Sequence, residues 1–134
     1  MTLQNRIKND VLIIGDGSLF PQGVTQLLNQ HSEALIHRME AVDDRVLINE
    51  IESNHHKVVV VAETAVREAK HVVSLIFSTP SLLEVVLRII VVRYHDRTID
   101  VFDQAGPRGN GAGYVRKRII DGTSEDLVRF VSLM

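Results

Sequence analysis

A three-layer α/β domain, with a mostly parallel central sheet and an antiparallel hairpin extension at one edge, is the fold this sequence predicts. Three observations lead there. Val11-Leu12-Ile13-Ile14, Val58-Val59-Val60-Val61 and Ile89-Ile90-Val91-Val92 are apolar without alternation, as in central parallel strands buried on both faces. Segments of helical periodicity lie between them. Beyond the third run the spacing collapses. The stretch 87–94 and the alternating Thr98-Ile99-Asp100-Val101-Phe102 are separated only by His95-Asp96-Arg97, far short of the roughly dozen residues a parallel crossover needs. Those two strands are expected to form an antiparallel hairpin.

The first run ends in the turn Gly15-Asp16-Gly17. Ser18 is then a plausible N-cap for a helix marked by Phe20, Val24, Leu27 and Leu28. Residues 34–39 form a weaker apolar run, suited to an edge strand beside the first. Val42, Val46 and Ile51 trace a second helix, with Asp43 and Asp44 near its positive end. Ala65, Ala69, Val72, Val73 and Ile76 trace a third. Thr79-Pro80 breaks the chain, leaving residues 81–87 as either a short helix or the lead into the next strand. The Gly-rich stretch 104–113 is expected to turn, so that residues 114–120 return as a further strand in a second hairpin. Thr123-Ser124-Glu125-Asp126 reads as a capping box or close variant, opening a helix that buries Leu127, Val128, Phe130 and Val131.

A chain of 134 residues suits one domain, here 1–134. Cysteine is absent, which excludes disulfides and thiolate metal sites, and the formal net charge of −2 gives no broad attraction for nucleic acid or anionic lipid. Residues 1–10 are polar and mixed in charge, unlike a signal peptide or anchor. The longest apolar stretch, 82–92, is interrupted by Glu84 and Arg88 and is too short to span a bilayer. A cytoplasmic protein without direct nucleic-acid or membrane contact is the expectation.

The segment from Asp10 to Phe20 resembles the opening of response-regulator receiver domains of two-component signalling, especially the LuxR type, where an apolar strand ends in an acidic pair before a helix. Here Gly15 replaces the first acid and Asp16 keeps the second. The resemblance implies a flavodoxin-like fold, a phosphoacceptor Asp after the third strand, Mg²⁺ held by that Asp and the acidic pair, a Thr or Ser after the fourth strand and a Lys after the fifth. The third run leads instead to Ala62, with Glu63 next; Arg93 follows the fourth run, and no Lys-Pro follows the fifth. Alanine accepts no phosphate, and Glu63 could at most imitate a permanent negative charge. Too few residues remain between the fourth and fifth strands for the helix receivers carry there. The resemblance therefore implies a pseudo-receiver with no cofactor and no metal, whose vestigial pocket comprises Asp16, Gly17, Ala62, Glu63 and Arg93.

Each feature also has a plainer reading. Asp16 could bind a cation or ligand, but a turn aspartate accepting backbone N–H groups is simpler. Glu63 and Arg93 should end neighbouring strands at one edge, either as an ion pair filling the vacated pocket or as two solvated side chains. The six histidines, His31, His37, His55, His56, His71 and His95, include no i,i+4 pair, so surface or helix-end roles are expected. No G-x-S-x-G elbow supports serine hydrolase chemistry. The glycine run from Gly106 to Gly113 lacks the ending of a phosphate-binding loop and reads as a hairpin loop. Arg116-Lys117-Arg118 could meet nucleic acid or an acidic protein surface, or simply protect a strand edge. The expected function is a non-enzymatic signalling module that binds a protein partner or a second copy of itself, with the late hairpins and closing helix as contact surface. Alternatives are a small-ligand or nucleotide sensor at the carboxyl edge of the sheet, and an atypical phospho-receiver.

Overall fold

The computed structural model describes residues 10–15, 18–40, 43–63, 69–104 and 114–132. The elements follow as β1 (Asp10–Gly15), α1 (Leu19–His31), β2 (Leu35–Glu40), α2 (Asp44–Asn54), β3 (Val58–Glu63), α3 (Ala69–Phe77), α4 (Pro80–Leu83), β4 (Arg88–Arg93), β5 (Ile99–Gln104), β6 (Tyr114–Ile119) and α5 (Ser124–Val131). One six-stranded sheet has the order β2-β1-β3-β4-β5-β6. The first four strands of that order are parallel, and β5 and β6 are added antiparallel. The sheet is thus mixed, as expected from the short connection after β4.

Alternation along the strands divides two cores. Val11, Ile13, Val58, Val60, Ala62, Ile90, Val92, Ile99 and Val101 meet α1 and α5. Leu12, Ile14, Val59, Val61, Ile89 and Val91 meet α2, α3 and α4 on the opposite face. The all-apolar runs are needed because both faces are covered.

The connection after β4 is a tight turn. Arg97 sits in the left-handed region with φ 55°, the Asp96 carboxylate accepts the Thr98 N–H at 3.0 Å, and Arg93 N–H donates to the Thr98 carbonyl at 3.0 Å. No helix fits in it. At the far end, the Thr123 hydroxyl accepts from Asp126 N–H while the Asp126 carboxylate accepts from Thr123 N–H, completing the capping box of α5. Arg88 fastens that helix by donating to the carbonyls of Phe130 and Ser132 and to both carboxylate oxygens of Asp103.

Several expectations are corrected. In α2 the buried positions are Leu47 and Ile51, an i,i+4 pair, while Val46 is 44% exposed; the helix is rotated relative to the Val42/Val46/Ile51 stripe. Residues 81–87 combine both alternatives, a single helical turn followed by the lead into β4. His55 does end α2, in the left-handed C-cap conformation. His56 is instead fully buried, with Nε2 2.9 Å from Glu50 Oε2, because the chain turns inward there to enter β3. The roles expected at Val42, Ala65 and the glycine run fall on residues outside those described.

Candidate functional site

The carboxyl ends of the parallel strands lie at one edge of the sheet, where open α/β folds gather functional groups. Position 15 at that edge is fixed by packing. A Cβ on Gly15 would collide with the Pro21 ring of α1, so the last residue of β1 must be glycine if α1 is to approach this closely. An acid at that position is sterically incompatible with the packing. Asp16 and Gly17 lie outside the described residues.

Ala62 is 0% exposed, its methyl group part of the core against α1 and α5. Alternation then sends Glu63 to the opposite face, and the in-register pairing of β3 with β4 sets Arg93 beside it. Arg93 Nε donates to Glu63 Oε1 at 2.8 Å, so of the two readings of these residues the ion pair is the observed one. The other Glu63 oxygen accepts the backbone N–H of Ala69, the first residue of α3, at 2.8 Å. That contact places the negative charge at the positive end of the helix.

The arrangement extends beyond the expected pocket, to Asp100 and to two of the three bases of β6. Arg93 Nη1 donates to Asp100 Oδ2, and Arg118 donates to both Asp100 oxygens, at 2.8 and 3.1 Å. Arg116 stands 3.7 Å from the same carboxylate. A chain of alternating charge, Glu63, Arg93, Asp100, Arg118, therefore crosses β3, β4, β5 and β6. Asp100 is 1% exposed at its side chain. A carboxylate that buried needs compensation, and it receives three charge-assisted hydrogen bonds.

The electrostatics follow. Burial works to raise the Asp100 carboxyl, but the hydrogen bonds and charges of Arg118 and Arg93 overcome it and hold it below the usual carboxylate range. Burial likewise opposes the charged form of Arg93, and Asp100 and Glu63 together raise its pKa nonetheless. Both oxygens of each carboxylate already accept hydrogen bonds, so a hard cation would have to displace an arginine or the α3 amide. Neither carboxylate is free to act as a nucleophile. Among the described residues no group of three or more His, Asp or Glu side chains is arranged to hold a metal ion.

Beside this network Tyr94 leans on Phe20 at the start of α1, ring centroids 5.2 Å apart. An open groove of about 460 Å³ lies elsewhere, between α1 and α5, lined by Leu27, His31, Ser124, Glu125, Val128 and Arg129. Asp100 and Arg118 carried one signal in the sequence: a polar residue alternating with Ile99 and Val101, and a base on the strand expected to return. Their meeting depended on the β5–β6 register, which the intervening stretch 105–113 leaves undetermined in the sequence. Comparison of the chain with protein-family models, curated proteins and solved structures gives no match.

Proposed function

We propose that this chain is a pseudo-receiver: a flavodoxin-like domain of response-regulator type that works in cytoplasmic signalling through protein–protein contact and without phosphoryl transfer. The observation that carries this reading is the treatment of the acceptor position. Ala62 is buried and inert, and the adjoining carboxylate, Glu63, is engaged at both oxygens by Arg93 and the α3 amide. A phosphoacceptor must present an exposed carboxylate to an incoming phosphoryl group beside a divalent cation. Here a fixed ion pair stands at that edge instead.

The strand order supports the reading. The sequence β2-β1-β3-β4-β5 is that of doubly wound flavodoxin-like sheets, with β5 reversed because the crossover helix before it is replaced by the turn at residues 94–98. No helix of the described residues is long and apolar enough to cross a membrane. The chain has no catalytic role in this reading; it presents surfaces to a protein partner or a second copy.

Incubation with acetyl phosphate and Mg²⁺, followed by intact mass, tests it. The mass is expected to stay unchanged. A stable phosphate adduct lost on mild base treatment would establish an acyl phosphate and overturn the proposal. Concentration-dependent thermal stabilisation by nucleotides would favour a sensor in its place.

A further inference from the structure

β6 is the last strand of the sheet. It pairs with β5 from Ile99↔Ile119 to Gln104↔Tyr114, and no described strand pairs with its other side. Such an edge offers a row of backbone donors and acceptors to another extended chain. Arg116, Lys117 and Arg118 follow one another along it, and strand alternation sends them to both faces. Arg116 and Arg118 flank Asp100 on the face that carries α3, whereas Lys117 stands over the Phe130 ring of α5, Nζ 5.6 Å from its centroid.

Their countercharge comes from outside β6. Asp100 is shared among Arg93, Arg118 and the more distant Arg116, Asp96 adds its charge toward Arg118, and Lys117 forms no ion pair among the described residues. The edge strand itself therefore presents three consecutive bases with no acid among them. A second β6 laid alongside would set three bases against three, which disfavours self-pairing. A nucleic acid would satisfy the charge but not the backbone row. An extended peptide with acidic side chains satisfies both.

We propose that β6 binds an acidic, extended segment of a partner protein by strand addition. This rests on the reading of the chain as a protein-binding module and names the surface and chemistry of the contact.

The test uses the intact chain and a short capped peptide alternating Glu with Val. Controls are the same peptide with Lys for Glu, a version with Pro for Val that keeps the charge but removes backbone donors, and single-stranded oligodeoxythymidylate. Fluorescence anisotropy and amide hydrogen exchange are the readouts. The Glu–Val peptide is expected to bind saturably, weaken with salt and protect β6 amides; Lys117→Glu should reduce its affinity about tenfold. Arg116→Glu serves as a second variant, and circular dichroism checks the fold of both. Absence of Glu–Val binding would overturn the proposal. So would equal binding of the proline peptide or the oligonucleotide, or β6 protection that grows with protein concentration alone. The acetyl phosphate experiment decides the broader reading separately, so failure of one is distinguishable from failure of the other.

Discussion

The two halves of the sheet are held in different ways. In β2-β1-β3-β4 the strands are joined through helices, and β1, β3 and β4 bury almost every side chain between α1 and α5 on one face and α2, α3 and α4 on the other. In β5-β6, α5 covers one face, while the other carries Asp100, Phe102, Arg116 and Arg118, with Phe77 of α3 reaching Phe102 at a centroid distance of 6.1 Å. The tight turn after β4 supplies no crossover helix, and an ion-pair network lies where apolar packing would otherwise be required. Directional charge pairs here do what area burial does in the parallel half, so the two halves should respond differently to substitution and to pH.

The largest effect is expected at the centre of the charged half. Asp100→Asn removes the charged partner of Arg118 and leaves Arg93 with Glu63 alone, at a cost of about 3 kcal/mol in urea unfolding; a loss below about 1 kcal/mol would break the contrast. The same residue sets an acid response. Its folded pKa is lowered, so its contribution is fully present above its unfolded value of about 3.9 and is lost as pH falls through the folded value. Wild-type stability should decline below about pH 4, and Asp100→Asn should decline less steeply. Some slope will remain, because the Asp96 and Asp126 carboxyls are also held low, by hydrogen bonds from Thr98 and Thr123.

A smaller effect is expected in the parallel half. Gly15→Ala drives a methyl group into Pro21, costing about 2 kcal/mol with no added pH dependence. Thr123→Ala removes the α5 cap and should cost about 1 kcal/mol, measured by thermal or urea unfolding. Arg116→Ala is expected to be the mildest, within about 0.5 kcal/mol, since this guanidinium is half exposed and only grazes Asp100.

The same division governs what could be read from the sequence. The parallel half was legible because short β-branched runs without alternation, such as Val58-Val59-Val60-Val61, favour doubly buried strands, and the reversal of β5 was legible because residues 94–98 are too few for a crossover. The adjacency of Glu63 and Arg93 followed from strand ends, since parallel strands in register bring equivalent positions together, whereas the choice between an ion pair and two solvated side chains was made only by the structure. Asp100 and Arg118 were not legible, because their contact depends on a hairpin register that the stretch 105–113 does not fix. His56 was misjudged as surface because burial of a single polar side chain depends on where the chain turns after α2. Val46 shows the limit of periodicity: Leu47, one residue on, is the position that meets the core.

A double-mutant cycle on Arg93 and Asp100 tests most directly whether charge holds the antiparallel half. Arg93→Met, Asp100→Asn and the double variant would be unfolded in urea at neutral pH and again in high salt. A coupling energy of about 2 kcal/mol that persists in salt, as a largely buried pair requires, is the predicted result. Additive losses with no coupling would contradict it, placing the stability of β5 and β6 in apolar packing against α5 and α3.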